Sequence, residues 1–393
     1  MSTESSSDAL AARVSASGLR RIHLLAWRDL EDVEAGGSEV HAHEVAKRWA
    51  AAGLDVTMRT SYAQGRASIV RRDGYRVVRK AGRYLVFPRA ILSEIAERHG
   101  PWDAMVEIWN GMPFFSPVWR RGRPSMVWLH HVHGEMWRMV LPESEKLARG
   151  GELLESRIAP PFYRRASIVT LSESSKAELT GDLGFRSERV TVVPPGIAAR
   201  FTPGDVERAT NPLLVAVGRL VPVKRYDRLI RTVARVLDEH PMLELVIVGE
   251  GYERPQLEAL ITELGVGHAV RLAGHLGDDE VLDLYRRSWA VTSASAREGW
   301  GMTITEAAAC GTPAIVTRIA GHVDAVVEGE SGLLVGDVDD AVEVIGRFLG
   351  DDVLRKQLAE GALARAAELT WDATALATFE VLAADAERRN RRR

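Results

Sequence analysis

The chain has 393 residues, which at roughly 100–200 residues per domain predicts two domains. With 46% hydrophobic and 27% charged residues it has apolar material for two cores, and 34 Gly and 16 Pro without a period exclude a disordered or collagen-like chain. A single cysteine, Cys310, excludes an internal disulfide framework and suits a reducing cytosol, and the formal charge of -3 hides a basic first half, residues 1–200, with 29 Lys and Arg against 23 Asp and Glu.

Taken in chain order, residues 1–18 lack the basic start and apolar stretch of an export signal and read as a disordered, solvated tail. No apolar run approaches the roughly eighteen residues of a membrane-spanning helix. From Arg21, the runs RIHLLAW, GLDVTMRT, AMVEIWN, SMVWLH, SIVTLS and RVTVVP read as buried strands. Between them lie amphipathic stretches such as SEVHAHEVAKRWAAAG, where Val40, Val45 and Trp49 share a helical face. This alternation predicts a first Rossmann-like domain over 19–196. A Pro/Gly-rich stretch then marks a linker at 197–212. The rhythm resumes with PLLVAVG, LELVIVG, VRLAG, WAVTSA and PAIVT, a second Rossmann-like domain over 213–370. Residues 371–393 form a last helix with a basic tail, expected to pack back across the domain boundary. The fold class is therefore α/β, two parallel-sheet domains facing across a cleft. Ligands of such sheets bind beyond the carboxyl ends of the strands.

Several post-strand loops have chemical content. Gly36 and Gly37 precede a helix, where backbone amides and the positive helix end suit a phosphate or sugar, although a plain loop-to-helix entry fits equally. After SMVWL comes His130, His131, His133 and Glu135, whose spacing matches no standard zinc pattern. A histidine bonded to a polar substrate and a structural histidine both remain open there. Arg219 and Lys224 follow a strand at the start of a helix and suit a pyrophosphate, or are ordinary surface cations. Gly249-x-Gly251 lacks the third glycine of a dinucleotide fingerprint, since Arg254 stands there. Glu298 and Glu306 flank a tight loop in SASAREGWGMTITEAAACGTPAIVT, and Thr303-x-x-Glu306 is also a capping-box pattern. The Asp-x-Asp of DVDD, residues 337–340, reads as a helix N-cap ahead of a metal ligand.

The basic excess gathers in GRASIVRRDGYRVVRKAGRYLVFPR, residues 65–89, with Arg120, Arg121 and Arg123 beyond. A solvated arginine-rich face is the plainest reading. An anionic acceptor or a membrane surface would also suit the charge. Nucleic acid is disfavoured, because no nucleic-acid-binding motif accompanies it.

In order and together, AGGSE, SESSKAEL, VVPPG, VGRLVPVK, IVGEG, AGHL, EGWGMTITEAAACGTP and SGLLV resemble family 4 of the retaining glycosyltransferases, of GT-B fold. The match runs from about Arg21 to about Glu387, and Glu298-x7-Glu306 is its most specific part. The resemblance implies an acceptor side in the first domain and a nucleotide-sugar donor side in the second. Gly36 and Gly37 would lie near the donor phosphates, His130 or its neighbour His131 on the transferred sugar, and Arg219 and Lys224 on the diphosphate. Glu298 would bind the sugar hydroxyls and Glu306 the ribose. Gly301, Met302 and Thr303 would line phosphate and sugar, with Gly249, Gly274 and His275 also on the donor side. The sequence departs from the family at Pro195-Gly196-Ile197-Ala198, where Asn-Gly-Val-Asp is usual, so no site residue is carried over there. It departs again at Arg225, where Gly is common, and at Trp300, where Phe is usual and the sugar pocket is expected to change.

The implied reaction moves a sugar from a UDP- or GDP-type donor to an acceptor hydroxyl with retention. No metal and no other cofactor is expected. The acceptor would be anionic or lipid-linked, and the protein cytoplasmic, touching the membrane face through its basic half. Other classes are an epimerase or phosphorylase on a similar fold, a non-catalytic nucleotide-sugar sensor, and an oxidoreductase. A phosphorylase would carry pyridoxal phosphate on a lysine, and the chain has only six lysines against 45 arginines. The sensor is disfavoured because both carboxylates and both cations are present.

Overall fold

The computed structural model describes residues 6–120, 122–134, 136–140 and 144–391. The chain divides into two compact units, 1–196 with 370–393, and 197–369. The first is built on β1 (Arg21–Leu25), β2 (Asp55–Thr60), β3 (Ile69–Arg72), β4 (Tyr75–Arg79), β5 (Ala104–Ile108), β6 (Ser125–Trp128), β7 (Ser167–Thr170) and β8 (Val190–Val192). They form one sheet in the order β3-β4-β2-β1-β5-β6-β7-β8. Every pairing is parallel except β3 with β4. Strands buried on both faces are mostly apolar, which is why β1 and β5 read as near-continuous runs, interrupted by the buried His23 and Glu107.

The β3–β4 hairpin is absent from the sequence reading. Its turn is Asp73-Gly74, both with positive φ (42° and 87°), the backbone that an Asp-Gly hairpin turn requires. The dipeptide was a legible signal, masked by the arginines around it. Arg66, Arg71 and Arg89 of this segment are exposed, while others are paired within the unit. Asp29, fully buried in the loop after β1, accepts from Arg72 at 3.0 Å and Arg79 at 2.9 Å, and Arg83 binds Glu34 at 2.6 Å. The segment 65–89 is thus bound to the acidic loop 29–34, which the count of like charges could not reveal.

Residues 6–17 form a helix, Ser6–Ser17, where a disordered tail was expected. Leu10 and Val14, one turn apart, are buried, and Arg13 bridges Glu380 at 2.8 Å and Glu387 at 2.7 Å. Two apolar residues are too few to signal a helix in isolation, and their partner lies more than 350 positions away. That partner is the C-terminal helix Trp371–Asn390, which belongs to the first unit. It contributes Ala375, Phe379, Leu382, Ala383 and Ala386 to the core, at the spacing of one helical face. Trp49 Nε1 donates to the Ala375 carbonyl at 3.0 Å.

The second unit holds β9 (Leu213–Val217), β10 (Glu244–Val248), β11 (Val270–Gly274), β12 (Ala290–Ser293), β13 (Ala314–Thr317) and β14 (Gly332–Val335), all parallel. The order β11-β10-β9-β12-β13-β14 is that of a doubly wound dinucleotide fold, with its switch point between β9 and β12. The expected linker 197–212 is a packed part of this unit. Arg208 donates to the Ser288 and Gly311 carbonyls and to Thr312, and Arg286 reaches back to the Thr202 carbonyl at 2.9 Å. Proline and glycine there shape a strap, with arginines supplying the contacts that its backbone lacks. Asp337 caps the helix Val338–Gly350 by accepting from Asp340 N at 3.0 Å, so the Asp-x-Asp has a structural occupation. Among the described residues no helix is long and apolar enough to cross a membrane.

Candidate functional site

The two strands at the switch point of the second unit each open into a loop that carries charge. After β9, Lys224 ends the short turn Pro222–Lys224, and Arg225 beyond it takes a left-handed conformation, φ 50°, before the helix Tyr226–Val236. That backbone explains why glycine is common at this position. Arg225 holds it while its guanidinium binds Asp227 twice at 3.0 Å. Lys224 Nζ donates to Glu298 Oε1, in the loop after β12, and Ser295 Oγ donates to the same oxygen at 2.9 Å. Burial pushes the Glu298 carboxyl up, but Lys224, His322 and Ser295 outweigh it and hold it at about 2. Arg219 is exposed between β9 and Lys224.

Glu306 lies one helix turn further, on Met302–Ala309, and is in the opposite state. Burial raises its carboxyl to about 7, against the opposing pull of Arg200 and of Tyr285, whose hydroxyl lies 3.5 Å away. Two carboxyls eight positions apart are therefore pushed in opposite directions, Glu298 down and Glu306 up, a divergence of the kind that acid and base sites use. The helix is capped by Gly301, φ 97°, and not by Thr303, so the capping-box reading of Glu306 does not hold. Met302 and Thr303 occupy the first turn, whose amides are not used by the helix itself. Trp300 is buried, with the Arg365 guanidinium 5.9 Å from its ring centroid.

The glycines of IVGEG have a packing cause. A Cβ on Gly249 would lie 2.1 Å from the Gly218 carbonyl oxygen, and one on Gly251 2.2 Å from that of Leu220. Gly249 N also donates to the Gly274 carbonyl at 2.8 Å, joining the loops after β10 and β11. His275 next to it is exposed. The Gly-x-Gly thus lets the loops carrying Arg219 and Lys224 approach closely, and it needs no dinucleotide to explain it.

In the first unit, Gly36 caps the helix Gly37–Ala51, and Glu39 accepts from Gly36 N at 2.8 Å. Neither φ, at -147°, nor space demands glycine at 36, since a Cβ would meet only Glu39 at 3.9 Å. His130 lies two residues past β6, buried, with no hydrogen-bond partner on Nε2. Its ring stands edge-on to that of His41 at 5.0 Å, and burial, with His41 and His131, keeps it well below the usual histidine range. His131 stacks instead on His133 at 4.9 Å, and Glu155 binds the amides of His133 and Gly134 at 2.9 and 3.0 Å. Among the described residues no three His, Cys, Asp or Glu side chains are gathered around a metal-sized space, and Glu135 lies outside those residues.

Ser295, His322, Tyr285 and His41 were missed from the sequence. None of the four falls in a spacing that marks it among the polar residues around it.

The fold is that of GT-B glycosyltransferases. Sucrose-phosphate synthase from Thermosynechococcus elongatus superposes with a TM-score of 0.79 at 20% identity, over 92% of this chain and 98% of that one. Anabaena Alr3699/HepE, solved in complex with UDP and glucose, gives 0.71 at 18% identity, over 93% and 100%. Residues 35–201 match the family described as Glycosyltransferase Family 4, and residues 202–365 match Glycosyl transferases group 1. The D-inositol 3-phosphate glycosyltransferase of Acidothermus cellulolyticus is 31% identical over 87% of this chain and 84% of its own length. That of Corynebacterium urealyticum is 30% identical over 88% and 90%. The chain belongs to this family of glycosyltransferases.

Proposed function

We propose that the protein moves a sugar from a nucleotide-diphospho-sugar to an acceptor hydroxyl with retention at the anomeric carbon and without a metal ion. The observation that carries this reading is the ionised Glu298 paired with Lys224 beyond the two switch-point strands. As the bond from the anomeric carbon to the diphosphate breaks, negative charge grows on the leaving oxygens. Lys224, Arg219 and the first-turn amides of Met302–Ala309 neutralise it. Glu298 accepts from hydroxyls of the transferred sugar, Glu306 from those of the ribose, and His130 from a sugar hydroxyl through its unpartnered nitrogen. Gly36 and Gly37 let backbone approach the donor phosphates, and Gly274 and His275 lie toward the base. The acceptor hydroxyl attacks on the face that the diphosphate leaves, and its proton passes to the departing phosphate oxygen. The acceptor is anionic, a phosphorylated polyol of the class carried in the relatives' names.

A membrane-surface role for the basic segment 65–89 is disfavoured by its ion pairs with Asp29 and Glu34. In flotation with anionic vesicles the protein is expected to stay in the load fraction, at low as well as physiological salt. Salt-sensitive flotation would reverse this.

Glu306 offers a test of the donor site through its sign. A carboxyl whose folded value is raised leaves stability intact below the unfolded value near 4.5 and loses it as pH climbs through about 7. Glu306→Gln is therefore expected to unfold at a higher temperature than the parent at pH 8 and at the same temperature at pH 4.5. In a thermal-shift panel of UDP, GDP, ADP, TDP and NAD, one nucleoside diphosphate at about 100 times its dissociation constant should stabilise the parent by about 2.7 kcal/mol. The variant should gain clearly less. A shift with NAD alone would overturn the assignment.

A further inference from the structure

Lys224 and Glu298 are bonded to each other, yet the proposed reaction needs each for a different part of the donor. Binding must part them, and Glu298 then loses the cation that chiefly offsets its burial. A titratable ring lies under the same loop. His322 is fully buried at the start of the short helix His322–Ala325, and its Nδ1 lies 2.9 Å from the Thr317 carbonyl oxygen. Nδ1 therefore carries the hydrogen and donates it, which leaves Nε2 as a lone pair with no hydrogen-bond partner. A buried nitrogen in that state calls for an explanation. The ring lies directly under the site loop: a Cβ on Gly301 would come within 3.2 Å of His322 Cδ2. A Cβ on the preceding Gly321 would run into the backbone of Glu298, Gly299 and Trp300.

We propose that donor binding exchanges the counter-ion of Glu298: Lys224 leaves the carboxylate for the diphosphate, and His322 takes up a proton on Nε2 in its place. His322 is then a positioning residue, holding Glu298 ionised and oriented for the sugar hydroxyls. The inference rests on the donor-site reading of Lys224 and Glu298 above. The charged groups that act on the ring are Glu298, from the loop after β12, and Lys224, from the turn before Tyr226–Val236. Burial and Lys224 hold His322 below the usual histidine range, while Glu298 pulls the other way. Withdrawing Lys224 removes one opposing charge and leaves the attracting one. The proton comes from solvent, and no covalent bond changes. Affinity should then strengthen as pH falls, by at most about tenfold per unit.

Calorimetric titration with UDP, GDP, ADP and TDP in turn, at pH 7 in two buffers of different ionisation enthalpy, counts the protons taken up. The nucleotide's own terminal phosphate and Glu306 also titrate in this range, so differences between variants are read. Wild type should take up more than His322→Gln and His322→Asn, by as much as about one proton. Asn retains a group for the Thr317 carbonyl, so a loss common to both variants points to Nε2. Glu306→Gln should keep the His322-dependent uptake, and Lys224→Ala should abolish it, its histidine being protonated before ligand arrives. Equal uptake in wild type and the His322 variants, or unchanged excess uptake in Lys224→Ala, would overturn the exchange while leaving the donor site standing. No heat from any of the four nucleotides would overturn the donor-site reading itself.

Discussion

Lys224→Ala should lower kcat by about 10²–10³-fold, equivalent to about 3–4 kcal/mol of lost transition-state stabilisation, while the folded state persists. The reasoning is electrostatic. The lysine is the principal charge offsetting the burial of Glu298, and in the reaction it faces an oxygen whose negative charge grows as the sugar departs. A surface cation would contribute far less, because water screens it. Lys224 is only partly exposed, with a side-chain accessibility of 24%, and its partner with 19%. Steady-state kinetics with the nucleotide-sugar chosen by the thermal-shift panel provide the measurement, and far-ultraviolet circular dichroism checks the fold. Near-normal turnover would end the assignment of this pair to the donor diphosphate and sugar.

The second large effect is on stability. Gly251→Ala should destabilise the second unit by about 3 kcal/mol, the upper end for an added methyl in a packed site, and reduce soluble yield. The added methyl would lie 2.2 Å from the carbonyl oxygen of Leu220 and 2.8 Å from its nitrogen, backbone atoms that cannot rotate away. Leu220 is held on both sides, donating to the Glu250 carbonyl at 2.9 Å and accepting from Glu253 N at 3.2 Å. Any relief must shift the segment between Arg219 and Lys224, so the fraction that folds should also lose activity. Gly36→Ala makes the contrast. The fold has room for that methyl, so thermal unfolding should be unchanged and a loss of turnover would report a ligand that needs close backbone approach. Unfolding of both proteins at the same temperature would contradict the packing account of Gly251.

Most strands were legible because a parallel sheet covered on both faces is built from near-continuous apolar runs, and eleven such runs stand out between polar loops. The site residues beyond β9 and β12 were legible for a related reason. Short charged loops after buried strands have few structural duties, so Arg219, Lys224, Glu298 and Glu306 stand out by type and order. Where two readings of one pattern stood level, local sequence could not separate them. Thr303 and Glu306 have capping-box spacing, but the left-handed Gly301 sets the helix start, and only burial in the folded unit, against the pull of Arg200 and Tyr285, brings the carboxyl to about 7.

Composition, the strand runs and the order of the loop motifs are properties of neighbours along the chain, and they carried the domain count, the α/β class and the family. Long-range pairing carried the rest. Leu10 and Val14 become a helix because residues 371–390 return to cover them. Arg72, Arg79 and Arg83 are drawn into ion pairs because Asp29 and Glu34 come against them from the loop after β1. His322 acquires chemical meaning because β12 and β13 are neighbours, which puts its unpartnered nitrogen under the loop of Glu298. Charge state and burial depend on what surrounds a group in three dimensions, and sequence distance does not record that.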